Sequence, residues 1–202
     1  AEVAGEFVAQ ARKILASPTP ATGVLLRGFA ELPHIPSMKG LYALDPLAVA
    51  VYPDYKGVAR LVGMEVVEDL ADLDAQAKAL AAGWAAHDFF FVHHKYTDSR
   101  GEDGDFDAKV KEIEKVDAFL PRILELKPDV IIVTGDHSTP AVAKAHTANP
   151  VPFLVNAAWV RPDGVKKFGE RECARGAWGI VPGTVLLRIA LSLAGKLKKY
   201  GA

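Results

Sequence analysis

Asp136 and His137 stand directly behind an apolar run, Val130-Ile131-Ile132-Val133, and a second histidine, His146, follows nine positions later. A carboxylate beside an imidazole, with a further imidazole in reach, is metal-site chemistry, and this ligand mixture favours Mn, Zn or Fe over calcium. A lone histidine is more often a satisfied core residue. A carboxylate at the end of a buried strand is different, because without a cation or donors it is costly. A second cluster, Asp98 to Asp105, follows another apolar run, Phe89-Phe90-Phe91-Val92-His93. Asp103 and Asp105 read as caps of a helix opening at Asp105. Asp98 and Glu102 lie too far back for that, which leaves a ligand role or a solvated acidic loop. Arg27 and Lys95 are the best candidates for holding phosphate or carboxylate, one as a planar fork and one as a point charge. Either is otherwise an ordinary surface cation. Cys173 reads as packing, His93 as a residue packed at a strand end, and His34, His87 and His94 carry no role.

Both clusters follow apolar strands, and open α/β sheets place their ligand sites at the carboxyl ends of strands. The surrounding pattern is consistent with that. An amphipathic helix is expected over residues 2–15, ended by Ser17-Pro18-Thr19-Pro20, then a short strand over Gly23–Gly28. Residues 29–40 carry Pro33, Pro36 and little periodicity, and read as a connecting loop at a boundary between units 1–40 and 41–202. Beyond it, strands at 47–51, 64–67, 89–93, 129–134 and 151–155 alternate with helices at 56–61, 72–86, 105–124 and 141–145. A last helix runs from Pro182 towards Lys196, Lys198, Lys199 and Gly201. Apolar strands alternating with helices predict an α/β fold, a mostly parallel sheet covered by helices on both faces.

Composition narrows the class. Half of the 202 residues are hydrophobic and 24% are charged, as in a globular domain, and 24 basic against 25 acidic residues argue against nucleic acid or an anionic membrane as partner. The single cysteine rules out an internal disulfide and a cysteine-based zinc site, and suggests a reducing, cytoplasmic setting. No apolar run approaches the roughly 18 residues of a membrane span. The charged N-terminus does not resemble a signal peptide.

Taken together, several segments resemble the cofactor-independent phosphoglycerate mutases of archaeal type, within the alkaline phosphatase superfamily. They are Leu25-Leu26-Arg27-Gly28; His93 through Asp105, with Lys95, Thr97-Asp98 and Gly101; Lys109 with Ile113-Glu114 and Asp117; Thr134 through Pro140; His146 with Asn149 to Pro152; and Phe168-Gly169-Glu170 with Gly176. The resemblance implies an alkaline phosphatase-like fold and two divalent metals, Mn or Mg with Zn as a further option. It also implies phosphoryl transfer through a serine phosphoenzyme, on phosphoglycerate or a similar small phosphorylated substrate. On that pattern Asp136 and His137 bind one metal, Asp98 and His146 the other, and Arg27 and Lys95 neutralise substrate anions. The family usually has histidine where this chain has Glu102. A carboxylate can replace imidazole as a ligand and makes the site more anionic, the alternative being that Glu102 turns to solvent or pairs with Arg100. The family's nucleophilic serine and one metal-binding aspartate lie in an N-terminal segment with no counterpart here. The resemblance therefore implies a C-terminal portion, with residues 1–40 as the tail of an inserted cap domain. It implies a chain that supplies metal ligands, carries no catalytic nucleophile and is inactive alone. A metal-dependent phosphatase of the same superfamily and a truncated, non-catalytic metal-binding domain are the competing readings.

Overall fold

The computed structural model describes residues 2–16 and 20–197. They fall into two compact units, 1–35 and 36–202, so the division comes earlier than the expected 40. The first unit contains helix α1 (Glu2–Ile14), whose apolar residues Val3, Phe7 and Ile14 are all exposed. The expected strand over Gly23–Gly28 is absent, and residues 21–37 form neither helix nor strand. An extended segment needs a neighbouring strand to satisfy its backbone, and none pairs with this one among the described residues. The breaker at Ser17–Thr19 lies outside the described residues. Residues 36–40, expected to be loop, open the larger unit. Ser37 caps helix α2 (Met38–Tyr42) by accepting the Gly40 N–H at 3.1 Å, and Met38 packs into the core.

The larger unit is built around β1 (Pro46–Ala50), every residue of which is buried. It pairs in parallel with β2 (Glu65–Val66) on one side and β3 (Phe89–His93) on the other. Alternation along β1 divides the core into two layers. Leu47 and Val49 pack with Ala77 and Leu80 of α4 (Leu73–Gly83) and Phe119 of α6 (Phe106–Leu124). Ala48 packs on the other face with Ala59 of α3 (Pro53–Leu61) and with Met64. This is why a run without alternation reads as a strand buried on both faces, and the α/β expectation holds here.

Two expectations about the second half are corrected. β4 (Val130–Thr134) and β5 (Phe153–Ala157) pair antiparallel with each other, Thr134 opposite Phe153, in a separate two-stranded sheet. A parallel return needs a long crossover, usually helical. The segment over 141–145, expected to be a helix, is instead a single turn, in which Pro140 C=O accepts from Ala143 and Lys144 and Lys144 adopts a left-handed φ of 51°. The connection doubles back on itself through a bridge between Ser138 and Thr147, so the chain returns antiparallel. A short helix α7 (Glu170–Cys173) follows. Helix α8 (Leu186–Leu193) begins after the turn Gly183–Val185 and buries Ile189 and Leu191. Lys196 beyond it pairs with Asp88 at 2.7 Å, while Lys198, Lys199 and Gly201 lie outside the described residues. No helix among the described residues is long and apolar enough to cross a membrane.

Candidate metal centre

The chain leaving β3 does not enter a loop. Residues Tyr96–Asp103 form helix α5, whose first turn holds Asp98. Its polar sequence offers no apolar periodicity, which is why a loop is the natural expectation. Asp98 and Glu102 are four positions apart and so share one helix face. Gly104 ends α5 with a φ of 76°, and Asp105 then caps α6 by accepting the Ala108 N–H at 2.9 Å, as its type and position predict. Asp103, expected to cap as well, pairs with Arg100 at 3.0 Å instead.

Opposite α5 lies the turn that follows β4. The two segments touch at Gly101, where any Cβ would stand 2.3 Å from the Thr139 carbonyl oxygen. Only glycine lets the helix come this close. The approach brings Asp98 to the histidines. His146 Nε2 is 3.5 Å from Asp98 Oδ1, and His137 Nδ1 is 3.7 Å from the same oxygen. The Ser138–Thr147 bridge folds His146 back over His137, and their rings stack with centroids 3.7 Å apart. One ligand atom from each of Asp98, His137 and His146 lies within 4.8 Å of the others. Donors bound to one divalent ion sit about 3–3.5 Å apart, so this carboxylate and two imidazoles fit such an ion with little movement.

The other expected residues take distinct places. Asp136 Oδ2 is 3.4 Å from His137 Nε2, yet the same oxygen accepts the Tyr55 hydroxyl, while Oδ1 accepts the His137 N–H at 3.1 Å. Asp136 therefore adjoins the cluster but is held on its far side. Glu102 is exposed, with Oε1 3.8 Å from His146 Nε2. Lys95 donates to Asp98 Oδ2 and stands 5.0 Å from the ring centre of Tyr52. Arg27 belongs to the first unit and is exposed there.

Electrostatics hold the carboxylates charged. Burial pushes the Asp98 carboxyl up, but hydrogen bonds from Lys95 and from Thr139 Oγ1 (2.5 Å), with the charges of Lys95 and His137, outweigh it and leave the group below the usual carboxylate range. Asp136 is also held low. Burial raises it, but the Tyr55 hydrogen bond, His137 and nearby backbone N–H groups prevail. Burial and the bond to Asp136 together push the Tyr55 hydroxyl well above its ordinary value.

Sequence reasoning assigns no role to three contributors. Tyr55 lies 81 positions from Asp136, on α3, and its ring stacks on His93 at 3.7 Å. No sequence signal connects them. Thr139 sits inside the Asp136–Pro140 motif, where an oxygen two residues from His137 was a legible candidate; its hydroxyl is 3.0 Å from His137 Nδ1. Lys109 lies on α6 and donates to the Thr97 and Thr139 carbonyls at 2.9 Å each.

An Asp-His-His cluster gathered where the chain leaves β3 and β4, strands of two separate sheets, could hold a metal ion. The metalloenzyme superfamily model matches residues 6–193, and the chain belongs to that family. Its relatives narrow the class. A protein of Aquifex aeolicus is 46% identical over the whole of this chain and 50% of its own length. One of Thermosipho africanus is 53% identical over 88% of this chain and 44% of its own. Both carry the curated name "probable 2,3-bisphosphoglycerate-independent phosphoglycerate mutase", in agreement with the resemblance read from the motifs. The chain spans about half the length of the curated relatives it matches. Among solved structures, a protein from Pyrococcus horikoshii matches with a TM-score of 0.78 and 33% identity, over 83% of this chain and 54% of its own. The cofactor-independent phosphoglycerate mutase of Thermoplasma acidophilum matches with a TM-score of 0.63 and 24% identity, over 96% and 51%, and supports the fold.

Proposed function

We propose that this chain supplies metal ligands to a cytoplasmic, cofactor-independent phosphoglycerate mutase, a glycolytic isomerase that interconverts 3-phosphoglycerate and 2-phosphoglycerate. The observation that carries the reading is the convergence of Asp98, His137 and His146 to within 4.8 Å, in a chain whose relatives bear that curated name. Asp98, His137 and His146, with Asp136 and Glu102 beside them, are the residues that would hold two divalent ions, Mn²⁺ or Mg²⁺ first and Zn²⁺ as the alternative. When bound, such ions activate a nucleophile and neutralise the oxygens of a transferring phosphoryl group.

The chain's own residues have separate tasks in this reading. Thr139 and Lys95 orient and charge the Asp98 carboxylate, and Tyr55 does the same for Asp136. Lys95 meets the anionic groups of the substrate, and Arg27 of the first unit is a further candidate cation. The nucleophilic serine belongs to the part of the parent protein outside these 202 residues, and the first unit, residues 1–35, to the tail of an inserted cap. The 202 residues alone therefore turn over no phosphoglycerate. Phosphorus NMR of the parent protein with 3-phosphoglycerate and Mn²⁺ tests the proposal. Appearance of 2-phosphoglycerate upholds it. Release of inorganic phosphate alone replaces mutase with phosphatase, and no reaction leaves a non-catalytic metal-binding domain.

A further inference from the structure

Lys109 belongs to a segment that the family resemblance includes, yet the metal centre gives it no task. Its surroundings do. The side chain rises from the first turn of α6 into the junction between α5 and the turn after β4. There Nζ donates to two backbone carbonyls, Thr97 on the α5 side and Thr139 on the other, at 2.9 Å each. Thr97 immediately precedes Asp98, and Thr139 both follows His137 by two residues and donates its own hydroxyl to Asp98 at 2.5 Å. The buried Gly101 completes the junction, since a Cβ there would lie 3.1 Å from Nζ. Helix α5 and the 137–147 turn belong to different elements, and no strand ladder joins them. The ammonium spans them with two charge-assisted bonds, the stronger kind.

We propose that Lys109 is a positioning residue that clamps the Asp98 segment to the His137 segment and so sets the spacing of the metal-ligand group. The inference rests on the metal reading above. It has a sign that separates it from simple electrostatics. A cation near a metal site repels a second cation, so if Lys109 acted only through its charge, removing it would tighten metal binding. If it acts by holding ligands in place, removing it weakens binding, by the ten- to hundredfold typical of groups that orient metal ligands.

The experiment is calorimetric titration of the protein with Mn²⁺, in the wild type, Lys109→Met, Lys109→Arg and Asp98→Asn, with amide exchange followed in the metal-free forms. Lys109→Met keeps most of the aliphatic stem and loses both bonds. Its Mn²⁺ affinity is expected to fall about ten- to a hundredfold, with faster exchange both around 97–101 and around 138–147. Lys109→Arg keeps a cationic donor able to reach two carbonyls and retains more of the affinity. Unchanged or tighter Mn²⁺ binding in Lys109→Met overturns the proposal, as does faster exchange in only one of the two segments. Mn²⁺ binding that Asp98→Asn does not weaken overturns the metal reading instead, and the paired exchange response then decides for or against the clamp by itself.

Discussion

Replacing Gly101 with alanine pits two effects of opposite sign against each other. In an exposed helix the change stabilises by about 1 kcal/mol, because alanine loses less backbone freedom. Here the new methyl would stand 2.3 Å from the Thr139 carbonyl oxygen, 3.0 Å from Thr139 Cγ2 and 3.1 Å from Lys109 Nζ. Carbon and carbonyl oxygen settle about 3.3–3.6 Å apart, so α5 and the 137–139 turn must separate by roughly 1 Å. Overpacking of this kind costs about 1–3 kcal/mol. The shift also stretches the Lys109 bond to Thr139, worth about 1.5–3 kcal/mol as a bond to a charged group. The net expectation is a loss of about 1.5–5 kcal/mol, the helix gain included. Urea unfolding measures this directly, and Mn²⁺ titration of the same variant should show weakened binding, since Asp98 moves away from His137. Stability equal to or above the wild type would refute the reasoning, because it would mean that the helix preference alone governs this position.

Three further outcomes are expected. Glu102→His should gain Zn²⁺ affinity relative to Mn²⁺ and Glu102→Ala should lose both, by calorimetry; identical isotherms for the two variants and the wild type would remove Glu102 from the ligand set. Tyr55→Phe keeps the ring on His93 but strips the hydrogen bond from Asp136, and should cost about 1–2 kcal/mol. In a double-mutant cycle that cost should vanish when Asp136 is already alanine, and additive losses would deny the coupling. The pair of His94 and Glu112, 3.0 Å apart, predicts acid sensitivity in two steps. Burial holds the His94 imidazole below its ordinary 6.5. For Glu112, burial pushes the carboxyl up but hydrogen bonds from Lys115 and His94 outweigh it and hold it below 4.5. In both cases the unfolded chain takes up protons first, so this contribution is complete above the unfolded values and is lost as pH falls, beginning near 6.5 for His94 and near 4.5 for Glu112. Urea midpoints from pH 7 to 4 should therefore fall less in His94→Gln over the upper step and less in Glu112→Gln over the lower one.

The parts of this fold legible in the sequence are those whose apolar pattern is set by the core. β1 is apolar throughout because helices cover both its faces, and α6 meets the core through Phe119 and Ile123, although Phe106 and Ile113 of the same helix are exposed. Helix α5 was hidden for the opposite reason. Its residues Tyr96-Thr97-Asp98-Ser99-Arg100-Gly101-Glu102-Asp103 are chosen for the junction and the metal cluster, so hydrophobic periodicity is missing where function is densest. The antiparallel β4–β5 pair was equally hidden. Strand direction follows from the path of residues 135–152, and that path is fixed by one turn and one bridge rather than by any element of regular pattern.

The site shows the same division between what a sequence states and what only folding assembles. Asp98, Asp136, His137 and His146 announce themselves by type, and two of them by adjacency to a strand. What turns three of them into a compact ligand group is a set of contacts from elsewhere: the absent side chain of Gly101, the Thr139 hydroxyl on Asp98 and the Lys109 ammonium between two carbonyls. Gly101 and Lys109 offer no ligand chemistry and Thr139 only a hydroxyl, yet all three sit where the Asp98 and His137 segments meet. Asp136 illustrates the converse. Its type and place make it a prime ligand, but its Oδ2, 3.4 Å from His137 Nε2, already accepts the hydroxyl of Tyr55, contributed by helix α3. A carboxylate held that way by a neutral donor stays charged and ready at low cost, because its hydrogen bonds already favour the ionised form. The three-residue cluster and the separately held Asp136 are thus arranged as two adjacent groups that share His137, the residue within 4 Å of both carboxylates. The Lys109 bond to Thr139 and the close approach at Gly101 both fall on the turn that carries His137, so a change at either position is felt by the group nearest both carboxylates.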